Sequence, residues 1–173
     1  MHRSFAVTSI ESPLGVLGLL AGEHGLMMLS LNGPLDSILP RVLRCKRDHA
    51  KGRLNPWQVL EQAHEELVEY LLSAREKFET PLDLSCGTEF QRSVWRRLQR
   101  VPFGRTISYA ELAEAAGKQG AARAVGNAVG ANPLPIFVPC HRVLAAGGKL
   151  GGFSGGLWRK KQLLAIESIR AAG

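Results

Sequence analysis

The sequence has few aromatic residues and few cysteines, and it lacks any long apolar segment. Aromatic side chains make up 6% of the 173 residues. Hydrophobic residues as a whole make up 45%, which is too large a share for a disordered chain. No apolar run approaches the roughly 20 residues that a transmembrane helix requires. We therefore expect one or two small folded domains that do not span a membrane.

The three cysteines, Cys45, Cys86 and Cys140, are an odd number at wide spacings. This pattern favours neither a disulfide framework nor a CxxC zinc site. We therefore expect a reducing compartment, no metal and no cofactor, with Cys45 and Cys86 lacking a function. Polar side chains interrupt the chain before Pro13, which argues against a secretory signal. The predicted location is cytoplasmic.

The excess positive charge belongs to the C-terminal half. Residues 1–80 carry a net charge of −1, from 9 basic and 10 acidic side chains, whereas residues 81–173 carry +8, from 13 and 5. Such asymmetry favours an anionic polymer as partner, although a basic surface also promotes solubility. The smaller basic stretch at residues 41–53 could contact a phosphate backbone, but we interpret it as a solvated connector. The basic run Arg159 to Lys161 is likewise interpreted as solvated.

The N-terminal half predicts a small α+β domain. Apolar runs at residues 4–9, 16–21 and 26–31 are separated by turn residues, which is typical of an antiparallel meander. After Asn55 and Pro56, apolar side chains recur at helical spacing, so residues 56–73 should form a helix that covers the sheet. We place the domain at residues 1–80 and a second domain at 81–173.

The second domain is predicted to be helical. The pattern gives a helix over residues 89–100, a short helix over 109–116, a turn at Gly117–Gly120 and another short helix over 121–131. Two short helices joined by a glycine-containing turn indicate a helix-turn-helix, in a winged-helix-like arrangement. The expected fold class is therefore α+β.

The helix over 121–131 consists almost entirely of alanine and glycine, with Arg123 as its single charged residue. Each glycine costs a helix about 1 kcal/mol, so the small side chains must serve a purpose. They would permit either tight packing on a neighbouring helix or close approach to a nucleic-acid groove. The residue types leave both explanations open.

A Cys-His pair follows this helix. The segment Ile136 to Val138 predicts a short buried strand, and Cys140 and His141 come directly after it. A cysteine is nucleophilic as the thiolate, and an imidazole can take its proton. Neighbouring side chains of a strand point to opposite faces, so the proton path would need a turn or a bridging water. Taken alone, the dipeptide favours a buried cysteine beside an incidental histidine.

The surrounding motif changes this interpretation. The string P-C-H-R-V, preceded by N-P-L-P-I-F-V and followed by G-G-K-L-G-G-F-S-G-G-L, resembles the active-site signature of the O6-alkylguanine-DNA alkyltransferases, the methylated-DNA–protein-cysteine methyltransferases. The resemblance runs from about Gly87 to Glu167 and includes G-T-E-F-Q-R-S-V-W and R-A-V-G-N-A-V. The N-terminal half matches in size and in its β-rich start. The resemblance implies DNA repair by direct, irreversible, single-turnover transfer of an alkyl group from O6-alkylguanine, and from O4-alkylthymine, to Cys140.

The resemblance also assigns catalytic roles to four residues. Cys140 would accept the alkyl group, and His141 would act as the base through a water. Glu167 would orient the imidazole and stabilise its cationic form. Asn132 would brace the turn before the cysteine.

Further roles implied by the resemblance concern the damaged base and the DNA. The base would be flipped out of the duplex, because its O6 atom lies on the pairing edge inside the stack. Residues implied in binding the base are Tyr109, the backbone of Val143, Phe153 (tyrosine in many relatives), Ser154 and Gly155. Residues implied in binding the minor groove are Tyr109, Ala124, Gly126 and Arg123, the last filling the gap left by the flipped nucleotide.

The implied partner is double-stranded DNA carrying alkylated guanine, bound by a monomer that can act cooperatively along DNA, with no membrane partner. In a bacterium the protein would associate with the nucleoid. Two alternatives remain open at this point. One is a Cys-His hydrolase, which the helix-turn-helix weakens. The other is a non-catalytic lesion-binding or regulatory DNA-binding protein, a class whose members lack the cysteine.

Overall fold

The computed structural model describes residues 4–33 and 54–168. The basic stretch at 41–53, which includes Cys45, lies outside the described residues. The chain divides into two compact units, Met1–Cys86 and Gly87–Gly173. Among the described residues, no helix has both the length and the apolar character needed to cross a membrane.

The first unit contains an antiparallel sheet whose strand order follows the chain. Its strands are β1 (Phe5–Ser12), β2 (Gly15–Gly22) and β3 (Gly25–Ser30). The predicted meander is therefore confirmed. The Leu26 N–H donates to Pro81 O at 2.7 Å, and the Asp83 N–H donates to Leu26 O at 2.8 Å. This bridge ties residues 81–83 to β3, so the structural division falls six residues after the boundary placed at residue 80.

Helix α1 (Pro56–Leu71) packs against all three strands. Its first turn is capped by Asn55, whose side-chain oxygen accepts the Trp57 N–H at 3.0 Å. Its buried carboxylate, Glu66, accepts hydrogen bonds from the Glu79 and Thr80 N–H groups and from the Thr80 hydroxyl. Glu66 thereby fastens the segment after the helix back onto it.

Over residues 87–168, the second unit contains four α-helices and a short parallel pair of strands. The helices are α2 (Glu89–Leu98), α3 (Tyr109–Ala115), α4 (Ala122–Gly130) and α5 (Leu157–Ile166). The strands are β4 (Ile107–Ser108) and β5 (Val143–Leu144), which the sequence did not predict. Helices α3 and α4 form the predicted helix-turn-helix, and α2 packs against both. The buried Trp95 of α2 donates its indole N–H to Ala128 O of α4 at 2.8 Å.

Two sequence predictions are wrong in this region. Residues 136 and 137 form a turn and Val138 makes an isolated bridge with Pro135 in place of the predicted strand, and Ile136 has a φ of +77°. The cysteine spacing argued against a disulfide, but Cys86 is disulfide-bonded, whereas Cys140 is a free cysteine. The disulfide was missed because spacing along the chain does not report distance in the fold.

Candidate active site

Cys140 begins a single 3-10 turn, Cys140–Arg142, rather than continuing a strand. The turn is closed by the Arg142 N–H, which donates to Pro139 O at 3.1 Å. Successive side chains of such a turn are about 120° apart, so Cys140 and His141 do not point to opposite faces as they would in a strand. All three residues of the turn are buried, and the Cys140 side chain lies in the interior of the second unit.

The turn before the cysteine is held by Asn132. Its side-chain N–H donates to Val138 O at 2.8 Å, and its side-chain oxygen accepts the Leu134 N–H at 3.0 Å. These bonds enclose Ile136, whose positive φ costs a β-branched residue about 1–3 kcal/mol. Asn132 therefore stabilises the strained turn that leads to the nucleophile.

Burial raises the pKa of the Cys140 thiol to about 11, from an ordinary value of 9.0. The Asn132 side chain, the positive charge of Lys160 and the backbone N–H groups of Cys140 and His141 act in the opposite direction. The sequence argument assumed a thiolate. In the structure the resting group is a protonated thiol, because burial outweighs these stabilising contacts, and it must lose its proton before it can react.

His141 and Glu167 form a buried pair next to this thiol. The His141 Nε2 lies 2.8 Å from Glu167 Oε1, and both side chains are fully buried. Burial lowers the pKa of His141 below its ordinary value of 6.5, although Glu167 opposes this shift. The imidazole is therefore neutral at pH 7. A neutral ring that donates from Nε2 carries its lone pair on Nδ1, which is what a general base requires.

Arg142 also binds this carboxylate, and sequence reasoning missed it. Its Nε lies 2.9 Å from Glu167 Oε2, and its Nη2 lies 2.9 Å from Glu167 Oε1. The guanidinium donates as well to Val101 O, and it lies over the Phe103 ring at 6.0 Å from the centroid. Nothing in the sequence pattern separates such an arginine from a surface one, because it lies in a turn without periodicity.

Lys160 was interpreted as solvated, and that interpretation is wrong. The side chain is fully buried, and its ammonium donates to the carbonyls of Val143 at 2.6 Å, Leu150, and Gly152 at 3.3 Å. Burial lowers its pKa to about 8, and the nearby Cys140 opposes this. One sequence signal was available, since residues 160, 163, 164 and 167 share one face of α5.

Tyr109 connects the helix-turn-helix with the thiol. Its half-buried ring lies 3.7 Å from where a Cβ on Gly126 of α4 would be, and 3.5 Å from the same point on Gly151. Burial raises the pKa of the phenol, and Cys140 raises it further. The hydroxyl is therefore protonated at neutral pH and can donate a hydrogen bond, and it is close enough to Cys140 to interact with it electrostatically.

The other residues implied in base binding lie in two places. The Val143 N–H is bound to Cys140 O, so only its carbonyl, already an acceptor for Lys160, offers a second lone pair. In the loop before α5, Phe153 is half-buried, Ser154 is exposed and Gly155 is buried. The Gly155 carbonyl accepts a hydrogen bond from Arg159 at 2.7 Å, which fixes the end of this loop.

The exposed face of α4 consists of small side chains around Arg123. Arg123 and Ala124 are exposed, while Val125, Ala128 and Val129 are buried. A Cβ on Gly126 would make only ordinary contact with the Tyr109 ring, and one on Gly130 would meet nothing within 4 Å. Internal packing therefore does not require these two glycines, which favours the explanation that α4 approaches a nucleic-acid groove.

A helix-turn-helix followed by a buried thiol with an imidazole–carboxylate pair defines a DNA-binding protein with a cysteine nucleophile. Comparison with protein families agrees with this class. The family model for the 6-O-methylguanine DNA methyltransferase DNA binding domain matches residues 89–169, and that for the ribonuclease-like domain of the same proteins matches residues 6–84. The chain belongs to the 6-O-methylguanine DNA methyltransferase family.

Individual relatives cover nearly the whole chain. A methylated-DNA–protein-cysteine methyltransferase of Mycolicibacterium paratuberculosis is 44% identical over 163 residues, which are 92% of this chain and 90% of the relative. Its counterpart in Mycobacterium bovis is 42% identical over 163 residues, 94% of this chain and 92% of the relative. The crystal structure of Mycobacterium tuberculosis OGT in complex with DNA has a TM-score of 0.75 and 38% identity, and covers 93% of this chain and 91% of that one.

These comparisons confirm the resemblance seen in the sequence, the α+β fold class and the enzyme class. The activity is direct-reversal DNA repair by methyl transfer from DNA to a protein cysteine, and DNA is the partner. Neither the hydrolase nor the non-catalytic DNA-binding protein is favoured.

Proposed function

We propose that Cys140 is the residue that takes the alkyl group from O6-alkylguanine in DNA. The observation that carries this proposal is a free, buried thiol next to His141 on one tight turn. His141 in turn pairs with the buried carboxylate of Glu167. In the described part of the chain, Cys140 is the free cysteine, whereas Cys86 is in a disulfide. An arrangement of nucleophile, base and orienting carboxylate is what thiol activation requires.

The first step is loss of the thiol proton. Ionising a thiol of pKa about 11 at pH 7 costs about 5 kcal/mol, so the proton needs a nearby acceptor. We assign this role to His141, which is neutral and receives the proton through a bridging water. Glu167 then stabilises the imidazolium, while Asn132 and Lys160 stabilise the thiolate.

The second step is a single displacement at the alkyl carbon. The sulfur–carbon bond forms as the carbon–O6 bond breaks, and the bonding electrons pass to the guanine. The guanine then takes up one proton. This proton balances the one that the thiol lost to His141, so the imidazole can return to its neutral form. The product is a thioether without a carbonyl for water to attack, so each protein molecule reacts once.

The base must leave the duplex to reach Cys140, because O6 lies on its pairing edge. We propose that it enters beside Tyr109, whose phenol donates to it, and stacks on Phe153. Ser154, Gly155 and the Val143 carbonyl complete the contacts to the base. The exposed small residues of α4 support minor-groove binding through Ala124 and Gly126, with Arg123 inserted in place of the flipped base.

The same pocket chemistry extends to O4-alkylthymine, which presents an alkylated oxygen on its pairing edge as well. We further propose that the protein acts as a monomer in the cytoplasm, with cooperative binding along DNA as a property to be measured by its binding isotherm. The salt dependence of that isotherm would report how many basic residues of the second unit contact phosphate groups.

Mass spectrometry tests the proposal directly. Incubation with duplex DNA that contains one O6-methylguanine should add the mass of one methylene group to the intact protein, and peptide mapping should place it on Cys140. The amount of repaired DNA should equal the amount of protein. More than one product per protein molecule, or a methyl group on another residue, would refute the assignment.

A matched pair of variants separates transfer from binding. Cys140→Ser should bind the methylated duplex but gain no mass, while Gln162→Ala, at an exposed position of α5, should behave as the unmodified protein does. Tight lesion binding without any mass gain in the unmodified protein would instead favour the non-catalytic alternative.

A further inference from the structure

The carboxylate that binds the imidazole is shared with a buried guanidinium. Glu167 accepts one contact from His141 Nε2 at 2.8 Å, and it accepts three from Arg142, at 2.9 Å, 2.9 Å and 3.2 Å. The Gly104 N–H adds a further bond to Glu167 Oε2 at 3.2 Å. Arg142 therefore contacts both oxygens of the carboxylate, including Oε1, the oxygen that binds the imidazole.

Arg142 is itself fixed by contacts that are independent of Glu167. Its Nη1 donates to Val101 O, and its guanidinium lies over the Phe103 ring. The side chain is 5% exposed, so it cannot exchange this carboxylate for another partner in solvent. A planar two-point grip of this kind sets the direction of a carboxylate, which a single ammonium contact cannot do.

The guanidinium also changes the charge that the imidazole meets. Without Arg142, His141 would face a bare buried carboxylate, which stabilises an imidazolium. With Arg142 in place, Glu167 and Arg142 together carry no net charge, and Lys160 adds a positive charge nearby. Burial is the largest cause that lowers the pKa of His141, Glu167 opposes it, and Arg142 and Lys160 reinforce it.

We infer that Arg142 is a positioning residue for alkyl transfer: by gripping both oxygens of Glu167, it aims the carboxylate at His141 Nε2 and keeps the imidazole uncharged, ready to accept the thiol proton. This inference rests on the proposed role of His141 as the base. The groups that face His141 are Glu167 and Lys160 from α5, with Cys140 and Arg142 from its own turn.

The test is the pH dependence of the single-turnover rate with saturating methylated duplex, measured by mass gain on the full-length protein. In the unmodified protein the acid limb, where His141 becomes protonated, should lie below pH 6.5. In Arg142→Gln, which removes the positive charge, the limb should move up by about one pH unit, with an approximately tenfold lower rate on the limb. Arg142→Lys restores the charge and should return the limb towards its original position, while its single-point contact leaves the plateau rate lower. Arg97→Met, at an exposed arginine of α2, is the control.

The outcomes are distinct. A folded Arg142→Gln whose rate falls by the same factor at every pH would overturn the inference, because a purely structural role would act in that way. An unmodified protein whose acid limb lies at or above pH 6.5 would also overturn it, and this measurement requires no variant to fold. A flat profile in the unmodified protein would remove His141 as the base, and with it both the proposed mechanism and the inference.

Discussion

Replacing Asn132 should weaken both the fold of the second unit and the reactivity of the thiol. In Asn132→Ala the Leu134 N–H and the Val138 carbonyl, which belong to fully buried residues, lose their partners. A buried polar group without a partner costs about 1–3 kcal/mol, so the free energy of unfolding should fall by about 2–6 kcal/mol. The side-chain contact that lowers the pKa of Cys140 is lost as well.

Asn132→Asp separates the two effects. An aspartate oxygen still accepts from the Leu134 N–H, but the second oxygen cannot donate to the Val138 carbonyl and faces it as another acceptor, so the aspartate variant should lose about as much stability as the alanine variant. Its negative charge, however, lies beside the sulfur and raises the pKa of Cys140 further. Each unit of increase lowers the thiolate fraction about tenfold at neutral pH. The two variants should therefore be similarly destabilised, and the aspartate variant should be the slower to react.

Urea unfolding, followed by tryptophan fluorescence, gives the stabilities, and the mass gain over time gives the rates. Gln162→Ala serves as the control for an exposed amide in the same unit. An aspartate variant that accepts the methyl group as fast as the unmodified protein would refute the electrostatic argument. An alanine variant of unchanged stability would refute the bracing of the turn.

Three further changes test other parts of the structure. Lys160→Met removes the charge that lowers the pKa of Cys140, so the pH dependence of thiol alkylation by iodoacetamide should move to higher pH; an unmoved profile would contradict this. Gly126→Ala should stabilise the fold by up to about 1 kcal/mol, since alanine favours the helix and fits against Tyr109, yet it should weaken DNA binding measured by anisotropy; unchanged affinity would exclude close approach of this position to DNA. Burial raises the pKa of Glu66, but hydrogen bonds from Gln62, Thr80 and Glu79 together outweigh it and hold the pKa below its ordinary 4.5. The stability that the Glu66 carboxylate contributes is therefore complete above pH 4.5 and is lost as the pH falls through the lowered pKa. In Glu66→Gln, the free energy of unfolding measured in urea should not show this acid-dependent loss.

The sequence predicted what depends on local patterns. The helix-turn-helix was predicted from two short helical segments joined by a glycine-containing turn. The structure shows that these signals are local: a capping box begins α3 at Ser108, and Gly117 and Gly120, between the helices, have positive φ. The meander was predicted for the same reason, since its turns carry their own signals. The catalytic segment was predicted through its motif and the resemblance that the motif carries.

The errors and omissions involve contacts between distant parts of the chain. Residues 136–138 are apolar, and Ile136 and Val138 are β-branched, which predicts a strand, but the side chain of Asn132 binds the backbone on both sides of the turn there. The positive charge of Lys160 suggested exposure, and Arg142 was given no role. Their partners, the three carbonyls and Glu167, become visible only in the folded unit. The disulfide of Cys86 was missed for the same reason.

The burial of Cys140 has a consequence for the time that the protein spends before it meets a lesion. A thiol that is 5% exposed and protonated at rest reacts slowly with peroxide and with small alkylating agents, both of which attack the exposed thiolate. A protein that can be used once would be wasted by every such encounter. Burial of the sulfur thus keeps the protein unreacted until the alkylated base binds in the site.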